Sequence, residues 1–503
     1  MKILVVSLLR AGDFLLAVPA LNGLRHRYPK ARLDVATSGR FGNMHDLLPF
    51  IEKWWVLDRE MFQRGLGQAE IPIFTSMDLL RELSQKISAE NYDLVINLTH
   101  TRFSAYWVGY LEAKEKLGLV TTEHGRVQFG SPWFRYLNER ADTADRPILH
   151  YADIFRYGSE VAERPADWTL FSSEGARKEV DALDLPAGEF IAIQALTSDP
   201  KKNWGLSNWT ELLKSWTLRI PIVLMGSPAE RGILSDLVAR SGADESHVRI
   251  ITPSFAGAFE VLKRARLLVT GDTSIKHMAN GAGCQIVELS LGSSDIARTG
   301  AYRPGSLIVD PSVECRPCGH SEKCTRSYHL CGAKLTPHQM DRIISHVLAG
   351  QWDRLNGDFG NGLNLHRSET LATGFWFPRP FNKPKIQETL AIWLDHSTHK
   401  FMYGPSPRVP EFGSEAYKLK AELEGLGLSN WQPVLSQLEF LEKDLKKRQV
   451  TTEPALPSGP AGAFALDLAA LRSEQNRRQS QVLEAQTTER LIRSLISQIR
   501  ESV

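Results

Sequence analysis

Short, nearly continuous apolar runs alternate along the first 350 residues with longer segments of helical periodicity. Ile3-Leu4-Val5-Val6 is the first run. A helix follows from Leu15 to Tyr28, stopped by Pro29, and Arg32-Leu33-Asp34-Val35-Ala36 is the second run. Met77 to Ile87 has helical spacing, and Asp93-Leu94-Val95-Ile96-Asn97-Leu98 is again extended. Strands without polar alternation, separated by helices, predict a parallel sheet covered on both faces. The alternation restarts near residue 166. Phe190 to Gln194, Ile220 to Met225, Ala265 to Thr270 and Gln285 to Leu289 are the strands, and Asn208 to Trp216 is a helix. The pattern predicts an α/β protein with two Rossmann-like domains, residues 1–165 and 166–350, facing a cleft.

The pattern changes after residue 350. Residues 351–450 read as an irregular and helical extension, loop-rich from 355 to 412, with helix from 415 to 449 interrupted by Gly425, Gly427 and Pro433. The run Phe375-Trp376-Phe377-Pro378-Arg379-Pro380-Phe381 is too aromatic for a free linker and predicts packing on the body or on a partner. Residues 451–463 carry Pro454, Pro457 and Pro460 and read as a linker. Residues 464–503 read as one helix with Phe464, Leu468, Leu471, Val482, Ala485, Ile492, Leu495 and Ile499 near heptad spacing. Gln475, Arg478 and Glu489 interrupt that seam, so a helical hairpin or self-association helix is expected. A homo-oligomer formed through these helices is compatible with the pattern.

Composition narrows the class. A chain of 503 residues accommodates about three domain-sized units. Hydrophobic content of 42% and charged content of 23% suit a globular protein, and a net charge of +2 gives no basis for a nucleic-acid partner. No apolar run approaches the roughly 18 residues of a membrane span. Arg10 and Asp13 follow the first apolar run directly, so it reads as a strand and not as a signal peptide. The expected location is the cytoplasm, and peripheral contact with the inner membrane face stays compatible.

In open α/β sheets, ligands collect at the carboxyl ends of the strands. The most informative turn is Gly271-Asp272-Thr273-Ser274-Ile275-Lys276-His277. It reads as the start of a helix, where unpaired N–H groups and the helix dipole favour an anion such as a diphosphate. An ordinary crossover capped by Asp272 or Thr273 is the alternative. The first turn holds Gly12 and Asp13. Asp13 is either an N-cap or a catalytic base aimed into the cleft. The turn after Gln194 holds Thr197 and Ser198, then Lys201 and Lys202, which suit phosphate oxygens. The turn after Met225 holds Glu230, suited to a ribose or base and equally to a first-turn helix acid.

Together these turns resemble the ADP-heptose:lipopolysaccharide heptosyltransferases, the inverting GT-B enzymes of glycosyltransferase family 9. The resemblance rests on Gly12-Asp13, on Thr197, Ser198 and Lys202-Asn203-Trp204, on Gly226 to Glu230, and on Gly271, Asp272, Thr273 and His277. It covers residues 1 to about 350. The family's glycine after Asp-Thr is Ser274 here, which either adds a hydroxyl contact or crowds the donor, and Lys276 is expected to add a charge contact. The resemblance implies a metal-free single displacement without a catalytic cofactor. Asp13 would deprotonate the acceptor hydroxyl. Thr197, Ser198, Lys202, Thr273 and the helix beginning near Ser274 would meet the leaving diphosphate. Glu230 and Asp272 would hold ribose or heptose hydroxyls, and His277 would sit near the phosphates unless it packs on the strand. Arg10, Arg40, His100 and Arg102 lie on first-domain loops, either as cations for a phosphorylated acceptor or as solvated surface charges. The implied donor is ADP-heptose and the default acceptor a lipopolysaccharide inner-core precursor. The helical extension motivates a protein acceptor as an alternative, and the Ser274-Ile275-Lys276 departure motivates a donor-binding scaffold without turnover.

Cys315, Cys318, Cys324 and Cys331 follow the spacing C-x2-C-x5-C-x6-C. In an intracellular chain this density suggests a tetrahedral zinc or iron site more than disulfides, with His320 and His329 as substitute ligands. Four reduced thiols are the alternative. A similar cluster occurs in many members of the resembled family, and its expected role is to staple a loop. Cys284 reads as a small core residue.

Overall fold

The computed structural model describes residues 1–381 except 40, 59–72, 141–148, 217–219, 244–246, 320–321, 325, 327–328, 357–358, 360–361 and 372–373, with scattered positions between 424 and 500. The chain forms two compact units. The first contains residues 1–135, 145–369 and 376–383, and the second contains 136–144, 370–375 and 384–503.

The first unit contains two sheets. Five strands form the first: β1 (Lys2–Ser7), β2 (Arg32–Thr37), β3 (Lys53–Val56), β4 (Tyr92–Asn97) and β5 (Ala113–Gly118). Their order is β3-β2-β1-β4-β5, and every pairing is parallel. Val5 stands beside Val35 on one side and Ile96 on the other. Its branched side chain suits a strand covered on both faces. Leu4, Val6, Val95, Trp55 and Trp107 form one core layer. A two-stranded hairpin, β6 (Val120–Thr121) with β7 (Val127–Gln128), follows β5.

The second sheet has eight strands: β8 (Ile191–Gln194), β9 (Ile222–Met225), β10 (Val248–Ile251), β11 (Leu267–Gly271), β12 (Gln285–Leu289), β13 (Leu307–Pro311), β14 (Leu363–Thr370) and β15 (Trp376–Pro380). The order is β10-β9-β8-β11-β12-β13-β14-β15. The first six are parallel, and β14 runs antiparallel to β13. The sequence pattern ended the second domain at 350 and expected loops beyond it. Instead the chain returns after the helix Pro337–Leu348 and adds two strands, which include most of the aromatic run. An apolar edge on β13 would otherwise stay open, and β14 pairs with it from Leu307 to Pro311.

The two sheets share a frame inside this unit. The helix Tyr151–Gly158 carries Asp153, which is fully buried. Its carboxylate accepts from Tyr302 Oη at 2.6 Å, from the Trp376 N–H at 2.9 Å and from Arg156 at 3.0 Å. Strand order reverses between β1 and β4 in one sheet and between β8 and β11 in the other. Those reversals open crevices at the strand ends where ligands are held.

In the second unit, Trp431, Val434, Leu435 and Leu438 are buried, as are Ile492 and Ile496. Glu439 pairs with Arg500 at 2.6 Å and Glu442 with Arg493 at 2.9 Å, so the two segments run in opposite directions. The expected linker 451–463 and most of the expected helix beyond it lie outside the described residues.

Candidate active site

The turns that end β1, β8, β9 and β11 carry the expected residues, joined by one after β10. After β1, the helix Ala11–Leu16 begins and Asp13 Oδ2 accepts the Arg10 N–H at 3.1 Å. Arg10 and not Asp13 is therefore the N-cap, and Asp13 stands at the third helical position, where its carboxylate closes a capping box. A methyl on Gly12 would stand 3.6 Å from Ser274 Cα and 3.7 Å from the His277 ring, so this turn packs on the helix that follows β11. Burial raises the Asp13 pKa, the Arg10 N–H and the Lys202 charge oppose it, and the Asp272 charge reinforces it. A carboxylate held more basic than usual is suited to taking a proton.

The helix Ser274–Ala282 starts directly after β11. Asp272 lies at the junction, and two ammonium groups bracket it: Lys202 Nζ at 2.6 Å on Oδ2 and Lys276 Nζ at 2.6 Å on Oδ1. Burial by itself would raise the Asp272 pKa, but Lys276 and Lys202 outweigh it and hold the group well below the carboxylate range. His277 Nε2 stands 3.8 Å from Asp272 Oδ1, and its buried Nδ1 has no hydrogen-bond partner among the described residues. Burial and then the Lys276 charge keep this imidazole neutral. Thr273 Oγ1 meets Thr270 Oγ1 at 3.2 Å.

Lys276 corrects the expectation of a charge contact to the donor. It is fully buried, and its Nζ also meets Glu288 Oε1 on β12 at 2.7 Å. The helical register turns position 276 toward the sheet while Ser274 keeps its place on the rim. Burial pushes the Glu288 pKa upward against the pull of the Lys276 ammonium, and the Ala301 N–H donates to its other oxygen at 2.7 Å.

The turn after β8 is held by its own hydrogen bonds. The Thr197 N–H donates to Asn203 Oδ1 at 2.7 Å, and Thr197 Oγ1 donates to the Asp199 carbonyl at 2.7 Å. The two lysines part company. Lys202 faces Asp272, whereas Lys201 Nζ donates to the carbonyls of Gly319 at 2.7 Å and Glu322 at 2.6 Å. After β9, Glu230 Oε2 accepts from the Ser227 N–H at 2.7 Å and from Ser227 Oγ at 2.9 Å. Glu230 thus caps its own turn while lining the pocket mouth.

These turns enclose a cavity of about 280 Å³. Thr197, Ser198, Asp272, Thr273 and Ser274 make its polar wall, and Met225, Pro253, Phe255 and Ala258 its apolar wall. Phe255 was missed in the sequence pattern because β10 was not recognised. The available signal was the N-cap Ser254 directly after Ile250-Ile251-Thr252-Pro253. Asn43, from the first sheet's side, donates to Ser254 Oγ at 3.1 Å and accepts the Ala256 N–H at 3.0 Å.

The expected acceptor residues divide. Arg10 and Arg102 are exposed at the ends of β1 and β4, and Arg40 lies outside the described residues. His100 does not supply the expected positive charge. Burial, opposed by a hydrogen bond to the Asn97 backbone carbonyl, lowers its pKa to about 4, and its ring lies 5.2 Å from that of Phe134. Tyr151 and Arg298 had not been singled out. Arg298 approaches Tyr151 Oη at 3.5 Å, and the Asp13 charge reaches that hydroxyl.

The cysteines are unpaired. Burial raises the Cys318 pKa, and the nearby Cys315, Cys331 and Cys324 raise it further. Cys331 Sγ lies 3.3 Å from His329 Nε2. Among the described residues, no three metal-binding side chains converge on one point. His320 lies outside the described residues.

Two Rossmann-like sheets, with Asp13 after β1 and a pocket at the ends of β8, β9 and β11 that is lined by Asp272, the partner of Lys202, form the GT-B fold of a glycosyltransferase. Residues 80–329 match the family described as glycosyltransferase family 9 (heptosyltransferase). That stretch is a glycosyltransferase family 9 domain. It is 23% identical over 305 residues to lipopolysaccharide heptosyltransferase 3 of Escherichia coli K12, covering 56% of this chain and 80% of that protein. It is 22% identical over 315 residues to lipopolysaccharide heptosyltransferase 1 of the same strain, covering 61% and 93%. Two solved structures share the fold. The family 9 glycosyltransferase from Veillonella parvula has a TM-score of 0.54 at 18% identity, over 69% of this chain and 97% of that one. The E. coli ADP-heptose lipopolysaccharide heptosyltransferase II has a TM-score of 0.51 at 18% identity, over 70% and 99%.

Proposed function

We propose that this glycosyltransferase transfers heptose from ADP-heptose to a hydroxyl of a lipopolysaccharide inner-core precursor, with inversion. The observation that carries the reading is Asp272 at the mouth of the 280 Å³ cavity, paired with Lys202 and electrostatically coupled to Asp13. In the proposed reaction, Asp13 takes the proton of the acceptor hydroxyl. The acceptor oxygen bonds to the anomeric carbon, and the bond from that carbon to the diphosphate oxygen breaks on the opposite face. The departing electron pair stays on ADP. Lys202, Thr197, Ser198 and the N–H groups that open the helix Ser274–Ala282 would stabilise that charge. The adenine would lie against Met225 and Phe255. Asp272 would orient sugar hydroxyls, and the exposed Arg10 and Arg102 suit an acidic acceptor.

Calorimetry with ADP-heptose, ADP and a panel of UDP-sugars tests the donor. Binding of ADP-heptose that is lost in Lys202→Ala supports the assignment. Preference for a UDP-sugar sinks the heptosyl donor and leaves the fold standing. Transfer to a co-expressed protein, with none to lipopolysaccharide, sinks the acceptor assignment.

We also propose that Cys315, Cys318, Cys324 and Cys331 hold zinc or iron as a loop staple. Cys315, Cys331 and Cys324 each raise the cost of ionising Cys318, which a bound cation would relieve. Lys201 ties this loop to the turn that carries Lys202.

A further inference from the structure

The family reading leaves one buried charge without a role. Lys276 has no exposed surface, and Glu288 beside it is 1% exposed. An ion pair so deep is costly to form and is not explained by stability alone. Its position relative to Lys202 supplies a purpose.

Four charged groups form a chain: Glu288, Lys276, Asp272 and Lys202, with successive contacts of 2.7, 2.6 and 2.6 Å. The Ala301 N–H anchors Glu288 at one end, and at the other Lys202 pairs with Asp272, which lines the cavity. Lys202 Nζ donates to Asp272 Oδ2, and turning it onto a diphosphate would loosen that contact. Were Lys202 the sole cation at Asp272, its departure would strand a buried carboxylate. The pair would then resist opening. Lys276 changes that balance because it keeps Asp272 compensated from the protein side.

We propose that Lys276 is a positioning residue that holds Asp272 in place and releases Lys202 to the donor diphosphate. The inference rests on the nucleotide-sugar reading of the cavity. With Lys202 withdrawn, Asp272 Oδ2 becomes available to a sugar hydroxyl while Oδ1 stays on Lys276. One ligand thereby gains two contacts from one rearrangement. The lysine is specific to this role because its three donors serve Asp272 and Glu288 together.

The test measures ADP binding to the full chain by calorimetry, with melting temperature alongside. Lys276→Met should weaken ADP binding by about tenfold or more, since Lys202 then stays locked on Asp272. Because Lys276→Met also strands Glu288, the double variant Lys276→Met/Glu288→Gln separates the effects. It should recover melting temperature and leave ADP binding weak. Recovery of both would overturn the inference and make Lys276 a purely structural counter-ion. In a Lys202→Ala background, Lys276→Met should add little further loss of affinity, because it acts through Lys202. Additive losses would also overturn it. A wild-type chain that binds neither ADP nor ADP-heptose would overturn the nucleotide reading and this inference together. Wild-type binding with unchanged affinity in the stable double variant would overturn this inference alone.

Discussion

Lys202 and Asp272 are 70 positions apart in the chain and meet at 2.6 Å where the ends of β8 and β11 adjoin. The contact brings the cation of one turn to the acid of another and marks where a diphosphate is expected. Removing the lysine tests that directly. Lys202→Ala should weaken ADP binding by about 10–100-fold, the equivalent of a charged hydrogen bond worth roughly 1.5–3 kcal/mol. Melting temperature should change little, because Lys276 still pairs with Asp272. Undiminished ADP affinity would place the diphosphate elsewhere.

Asp13 is expected to act as the base. Asp13→Asn should lower transfer by about 10²–10⁴-fold while ADP binding is kept. Its raised pKa has a definite sign in kinetics. The base works deprotonated, so kcat/KM should rise with pH through an acidic limb above the usual carboxylate range. Rates measured from acid to neutral pH should show that limb in the wild type. A limb unmoved in Asp13→Asn, with comparable rate, would remove Asp13 from the chemistry.

The apolar wall has a separable effect. Phe255→Ala should weaken ADP about tenfold through lost apolar contact, and leave inorganic pyrophosphate binding nearly unchanged. Equal losses for both ligands would mean that Phe255 supports the helix start and does not contact the base.

Burial lowers the pKa of His150 to about 3 and that of His100 to about 4, from an ordinary 6.5. The unfolded chain therefore binds more protons than the folded one between these values. Stability is fully present above about pH 6.5 and is lost as pH falls toward 4. Urea midpoints at pH 7.5 and pH 5 should differ, with the lower midpoint in acid. Identical midpoints would mean that neither imidazole is buried in solution.

The cysteine staple predicts metal in the purified full chain. Elemental analysis should find about one zinc or iron per chain, and a chelator should lower the melting temperature. Cys318→Ser should do the same and leave ADP binding measurable, because the cluster meets Lys201 and not Lys202. Metal-free protein with unchanged melting after chelation would return the cluster to four thiols.

Local pattern was enough to establish the two parallel sheets, since runs such as Ile3–Val6 and Leu267–Thr270 declare burial on both faces without any partner. The motif residues were legible for the same reason: Asp13, Lys202 and Asp272 each sit a few positions beyond an identifiable strand. What the sequence could not settle were choices made by distant partners. Lys276 reads as one more cation beside a phosphate until Glu288, twelve positions on, is found beneath it. His100 reads as a cation until burial beside Phe134 makes it neutral. Glu230 reads equally as a ribose contact or a helix acid, and the structure shows Ser227 engaging one of its carboxylate oxygens. The strands β14 and β15 read as loops because their identity comes from the edge of β13 and not from their own periodicity. Strand and helix periods are properties of neighbouring residues, and so the sequence carries them alone. Charge state and side-chain direction depend on what the fold packs against each group, and only the tertiary structure decides them.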